Sequence, residues 1–233
     1  LVTDENDHNT IATNNVHALL MDGNDCWAGH FMGGLSRIDL NTFDVERFRT
    51  PQENSIHNNF VFALHFINDD SILIGTMNGA DIYSKSRDEF SIFRQNELAD
   101  CFIYEIFTAP DGKVWICTYN NGIFIYDQNN QGLMKHFTAN DESGLPGNSV
   151  ISYCVGSDNR IWIGTRGNGL CYYDPGSDSF IHWSEELLPN KVIYGILEDN
   201  NRNLWISTNS GISKLNPVDR SEEHTSELQS LLI

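Results

Sequence analysis

Five short runs recur along the chain: Trp27-Ala28-Gly29-His30, Leu73-Ile74-Gly75-Thr76, Trp115-Ile116-Cys117-Thr118, Trp162-Ile163-Gly164-Thr165 and Trp205-Ile206-Ser207-Thr208. Their first residues lie 46, 42, 47 and 43 positions apart, and a period of that size marks one supersecondary unit copied along the sequence. Upstream, a β-branched residue opens an apolar run in each copy, at Val16, Val61, Ile103, Val150 and Val192. Polar turns separate that run from the anchor: Asp22-Gly23-Asn24-Asp25, Asn68-Asp69-Asp70-Ser71, Asp111-Gly112-Lys113, Ser157-Asp158-Asn159-Arg160 and residues 199–203. Downstream, a glycine (Gly34, Gly79, Gly122, Gly169, Gly211) precedes a third run, and the first four copies add a fourth segment centred on Phe48, Phe93, Phe137 and Trp183.

Short β-rich runs split by Gly, Asn and Asp read as hairpin-linked strands, so each copy is predicted to be a four-stranded antiparallel meander. Several runs are apolar on both alternating faces, so both sides of each small sheet must be covered. Stacking such sheets radially does this, and four strands in roughly 40 to 50 residues is the period of a propeller blade. The expected fold is all-β: a β-propeller fragment of about five four-stranded antiparallel blades, incomplete at both ends. Trp27, Leu73, Trp115, Trp162 and Trp205 are the expected blade anchors, wedged between neighbouring sheets. A buried indole of ~200 Å² contributes at most about 5 kcal/mol at ~25 cal/mol per Å².

The sequence divides into three parts. Residues 1–13 read as the end of a preceding blade or an inter-blade loop, and 14–217 as the repeats, the fifth stopping after its third strand at Asn216-Pro217. Residues 218–233 read as a non-native or disordered tail, because Arg220-Ser221-Glu222-Glu223-His224-Thr225-Ser226-Glu227 looks like the read-through of a sequencing adapter. A blade lacking its outer strand leaves a free edge, so an open or poorly closed arc is expected.

A formal charge of -18 and a pI near 4.6, with basic residues scattered, disfavour nucleic acid and anionic lipid as partners of this chain. No run approaches the ~18 apolar residues of a membrane span. The five cysteines include no Cys-x-x-Cys pair and an odd count forbids complete pairing, so buried inert thiols are expected. No nucleophile elbow, phosphate-binding loop, zinc-protease helix or Cys/His metal set occurs, so no catalytic residue, cofactor or metal is predicted.

In a propeller, the loops between second and third strands and those between blades open on one face. That places Phe31, Tyr119, Asn120, Arg166, Asn168, His30 and His57 as the candidate ligand-binding residues, with Met32, Met77, Asn78, Asn58, Asp100, Lys191 and Asn209 on the same rim. Aromatic faces and amide or guanidinium donors are the groups that hold sugars. Turn asparagines also bond their own backbone, and the recurring Asn14, Asn59, Asn148 and Asn190 read as structural caps.

The pattern Asn-x-Val, polar turn, Trp-Ile-Gly-Thr, Gly-Leu and Tyr-Asp, clearest over residues 148–174, resembles the two-component regulator propeller repeats, and the resemblance covers roughly residues 10–217. Leu73 for Trp, Cys101 for Asn and Ala80-Asp81 for Gly-Leu depart from it. The resemblance implies the periplasmic sensor half of a hybrid two-component histidine kinase, an oligosaccharide ligand, a homodimer in the full-length receptor, and no kinase or other catalytic part within this chain. Two other readings stay open from the residues alone. A protein-docking scaffold would show a broad apolar patch on the rim, and a carbohydrate-active lyase or hydrolase would bring carboxylates or a His/Glu pair together at the axis.

Overall fold

The computed structural model describes residues 2–3, 9–127, 132–183, 188–217 and 221–224, the last four as backbone only. Among the described residues, twenty strands form five four-stranded antiparallel sheets, each a simple meander. The first holds β1 (Val16–Asp22), β2 (Asp25–His30), β3 (Gly34–Asp39) and β4 (Val45–Phe48); the second β5 (Val61–Asn68), β6 (Ser71–Thr76), β7 (Gly79–Ser84) and β8 (Glu89–Phe93). One helical turn, α1 (Gln95–Leu98), precedes the third: β9 (Ile103–Thr108), β10 (Val114–Thr118), β11 (Ile123–Tyr126) and β12 (Leu133–Phe137). The fourth holds β13 (Val150–Val155), β14 (Ile161–Thr165), β15 (Leu170–Asp174) and β16 (Ser179–His182); the fifth β17 (Ile193–Glu198), β18 (Leu204–Thr208), β19 (Gly211–Asn216) and β20 (Ser221–His224). The copies read from the repeat are therefore five blades.

Two expectations need correction. The fifth copy does not stop after three strands: β20 pairs with β19 in the register Ser213↔His224 to Asn216↔Ser221. Strand pairing uses backbone groups alone, so the free edge of β19 accepts a segment with no strand-like side-chain pattern. The rest of the proposed tail, 218–220 and 225–233, lies outside the described residues. In the fifth copy the β-branched position is Ile193 rather than Val192, because Ile193 pairs with Thr208 as Val61 pairs with Thr76 and Val150 with Thr165.

The Trp, Gly and Thr of the Trp-Ile-Gly-Thr run have separate physical tasks. The aromatic anchor packs into the next sheet: Trp27 lies with Phe48 and Leu35 of its own blade against Val61, Ile72, Ile74 and Tyr83 of the second. Trp162, with Leu170 and Trp183, meets Ile193, Leu204, Ile206 and Leu215 of the fifth blade in the same way. Leu73 is fully buried, and Trp205 is half-buried. The glycine is required by close approach: a Cβ at Gly29, Gly75 or Gly164 would come within 2.6, 2.5 and 2.6 Å of the Val61, Ile103 and Ile193 side chains. The threonine hydroxyl donates to the carbonyl of the following glycine, Thr76 to Gly79, Thr118 to Gly122, Thr165 to Gly169 and Thr208 to Gly211, at 2.8 to 3.0 Å. This bond closes the hairpins of the second to fifth copies, and the tip residues Asn78, Asn121, Asn168 and Ser210 donate their N–H back to the same hydroxyls.

A second set of bonds links one copy to the next. The glycine opening the third strand donates its N–H to a carbonyl two residues before the next β-branched residue: Gly34 to Asn59, Gly79 to Cys101, Gly122 to Asn148 and Gly169 to Lys191. Asn59 also brackets Thr50, accepting from its N–H at 2.9 Å and donating to its carbonyl at 3.0 Å, and Asn148 accepts from the Ala139 N–H. Lys191 thus fills the asparagine slot in the last copy. Asn190 instead accepts from the Val192 N–H two residues on, as Asn58 does from Phe60.

The described chain divides into two compact units, one of Leu1–Thr108 and Val114–Ile116, the other of Ala109–Lys113, Cys117–Asp127 and residues from Gly132 onward. Each has its own core around the anchors named above. No disulfide links the cysteines, and Cys101, Cys117 and Cys171 are buried in strands or their flanks.

Candidate functional site

In the first unit, the residues flanking the β-branched positions build an aromatic shelf. Val61 and Ile103 turn fully inward, and their neighbours Phe60, Phe62, Phe102 and Tyr104 stay half-exposed. Phe31, at the end of β2, lies edge-on to Phe60 with ring centroids 5.0 Å apart, and 6.1 Å from Phe62. Phe62 in turn sits 4.5 Å from Phe102 and 5.7 Å from Tyr104, and the exposed His17 ring closes on it at 4.7 Å. Edge-to-face, tilted and stacked contacts of this kind hold the half-exposed rings together. Phe31 is the one shelf member singled out by sequence. Phe60, Phe62, Phe102 and Tyr104 were missed, although the signal was present: these aromatic flanks replace Asn15 and His17, Ser149 and Ile151 in other copies.

His30 belongs to the core rather than the rim. It is wholly buried at the threonine position of the first copy, with Nε2 2.9 Å from the Ser36 hydroxyl, and burial pushes its imidazole below the ordinary range. His57 is also committed within the fold. Its Nδ1 is 2.7 Å from Asp81 Oδ1, its Nε2 2.7 Å from the Asn78 carbonyl, and its N–H donates to Asp81 Oδ2 at 3.1 Å. The hydrogen bond to Asp81 holds its pKa above the ordinary histidine value. Both histidines are corrections to the candidate set, because their polar atoms face the protein.

Beside the shelf in sequence, Glu105 occupies the slot that other copies fill with Ala18, Ala63, Ser152 and Gly195, opposite the glycine or serine of β2, β6, β14 and β18. Burial raises its carboxyl to about 7, so a large share is protonated at neutral pH.

The second unit brings two predicted residues together. The exposed Arg166 guanidinium lies 5.1 Å from the centroid of the Tyr119 ring. The backbone fixes both: Arg166 N–H donates to the Ser149 carbonyl at 2.9 Å, and the Ser149 hydroxyl donates to the Tyr119 carbonyl at 2.5 Å. Asn120 and Asn168 are exposed on the two hairpin tips, and Asn121 and Asn168 accept the backbone role of capping by donating their N–H to Thr118 and Thr165. Tyr194 and Asn209, both exposed, approach at 3.4 Å. Among the described residues no three His, Cys, Asp or Glu side chains converge as a metal-binding group.

Repeated four-stranded meanders, with Trp27 of the first packed into the second and Trp162 of the fourth packed into the fifth, make the chain a β-propeller protein. Residues 144–167 and 187–210 match the model of the two-component regulator propeller. Among solved structures it is similar to the extracellular domain of the hybrid two-component system BT3049 from B. thetaiotaomicron, with 20% identity and a TM-score of 0.76 over 92% of this chain and 29% of that one. The corresponding domain of BT4673 from the same organism gives 24% identity and a TM-score of 0.74 over 91% and 28%. Virginiamycin B lyase from Staphylococcus aureus shares the fold at 16% identity, with a TM-score of 0.66 over 90% and 69%. The chain spans less than a third of the two-component domains it matches. No curated protein matches it in sequence. No helix among the described residues is long and apolar enough to cross a membrane.

Proposed function

We propose that this chain is part of the periplasmic, ligand-sensing propeller of a hybrid two-component receptor, that its ligand is an oligosaccharide, and that it binds without turnover. The aromatic shelf of the first unit is the observation that carries this reading. Five half-exposed phenyl and phenol rings, held in edge-to-face, tilted and stacked contacts, offer the apolar surface against which the C–H faces of a sugar pack. In the second unit, Arg166 stacked on Tyr119 and the exposed Asn120 and Asn168 supply the guanidinium and amide groups that bond hydroxyls. The dimer expected of the full-length receptor belongs to the same proposal, with ligand occupancy read as a change in dimer geometry.

Calorimetric or thermal-shift titration of the chain with a panel of defined oligosaccharides tests the reading. A ligand at 100 times its Kd adds about 2.7 kcal/mol to stability. Phe62→Ala, at the centre of the shelf, is expected to weaken that ligand about tenfold, some 1.4 kcal/mol. Binding unchanged in Phe62→Ala contradicts the shelf as the site. Cleavage of a glycan, seen by chromatography, contradicts the sensor reading in favour of an enzyme.

A further inference from the structure

The third-strand position that holds Asp81 is a tether in the first copy as well. There Ser36 Oγ accepts from the Ala12 N–H at 3.4 Å, and in the second copy Asp81 Oδ2 accepts from the equivalent N–H of His57 at 3.1 Å. The second copy adds a charge to this tether and buries it, since Asp81 is almost wholly enclosed. Phe124 and Cys171 stand at the same position in the third and fourth copies, so the ionic form is a feature of this one blade.

Proton counting at His57 follows from geometry. Both ring nitrogens lie 2.7 Å from oxygens that accept: a carboxylate on Nδ1 and a backbone carbonyl on Nε2. A neutral imidazole has one N–H and one lone pair, so it satisfies one of these acceptors and sets its lone pair against the other. The doubly protonated ring satisfies both. We propose that His57, Asp81 and the Asn78 carbonyl form a proton-dependent latch that fastens the exposed tip of the β6–β7 hairpin to the segment entering β5. That tip is where Met77 donates its N–H to the Phe60 carbonyl at 3.0 Å, and Phe60 carries one ring of the aromatic shelf. His57 is thus a positioning residue for the shelf, whatever ligand the shelf takes.

Asp81 on β7 is the charged group that acts on His57. The short helix packed on β7 carries Glu97 and is capped by Arg94, and neither contributes to the histidine's shift. A histidine with a raised folded pKa contributes stability in full below its ordinary value of 6.5 and loses it as pH rises through the raised value. The latch is closed in mildly acidic solution and opens toward alkaline pH.

NMR of the full chain without ligand, from about pH 5 to about pH 9, reads the His57 ring and the Met77 amide together. The expected result is a His57 titration above the ordinary histidine value, with Met77 exchange, corrected for base catalysis, rising across that titration. Asp81→Asn keeps every contact around a neutral ring: its amide N–H donates to Nδ1, its carbonyl accepts from the His57 N–H, and Nε2–H still faces Asn78. That variant is expected to lose the pH dependence and keep Met77 protected throughout. A His57 that titrates at or below the ordinary value in the native chain overturns the proposal, as does Met77 protection that ignores its titration. The native-chain result decides alone if Asp81→Asn does not fold. None of these readings uses a glycan, so failure here and failure of the oligosaccharide reading are separate results.

Discussion

Glu105 stands where four other copies place Ala, Ala, Ser or Gly, and its carboxyl is raised by burial from 4.5 to about 7. The folded chain therefore holds a proton that the unfolded chain has released between those values, and stability falls as pH rises through that window before levelling off above about 7. Glu105→Gln is expected to remove that slope in denaturant unfolding measured at a series of pH values, a difference on the order of 3 kcal/mol across the window. At the anchors, Trp162→Ala removes an indole packed against Ile193, Leu204 and Ile206 and is expected to cost about 3 to 5 kcal/mol in the same assay. Single residues were legible in sequence where they repeat. The five anchors and the threonine or glycine beside them are recognisable because every blade must solve the same packing problem. His30 was misplaced because it sits in the threonine slot, where a ring that looks free in sequence is held by Ser36 in the core.

Between elements, the limiting constraint is how closely the first strand of one blade approaches the second strand of the blade before it. Gly75→Ala would place a Cβ 2.5 Å from Ile103 Cγ2, against a β-branched side chain fixed in a strand, and is expected to destabilise by about 1 to 3 kcal/mol. Ser207 occupies the same position in the fifth copy, and Ser207→Ala is expected to stay within about 0.5 kcal/mol, its hydroxyl making one long bond to Gly195 at 3.5 Å. Paired urea titrations of the two variants check the contrast. Element order and blade number followed from the spacing, since turns and β-branched runs are local signals. The register of β17 did not: Asn190-Lys191-Val192 matches the Asn-x-Val pattern, yet the Gly169 N–H seeks the Lys191 carbonyl and draws Ile193 into the buried position. β20 was missed for a related reason, because edge pairing is written in the backbone and leaves no trace in Ser221-Glu222-Glu223-His224.

For the whole molecule, the pH dependence is a balance: Glu105 and His57 bind protons more tightly when folded, whereas burial lowers His30 and His65 and hydrogen bonds lower the carboxyls of Asp70, Asp174, Asp178 and Asp199. Glu105 acts up to about 7 and His57 from 6.5 upward, both favouring the folded chain at lower pH. The candidate site was less legible than the propeller itself, because blade positions repeat and rim positions do not. Tyr119 and Arg166 stood out by breaking the pattern of their copies, and they do meet. The shelf rings lay hidden because each of Phe60, Phe62, Phe102 and Tyr104 reads alone as an ordinary strand aromatic, and only the turn of Val61 and Ile103 into the core sets them side by side. The most direct measurement is a calorimetric titration of the intact chain with defined oligosaccharides, each mixture then analysed for products. Saturable binding of at least one glycan, recovered intact and weakened about tenfold by Phe62→Ala, is the predicted result. Heat from no glycan, or a bound glycan that is consumed, would contradict it.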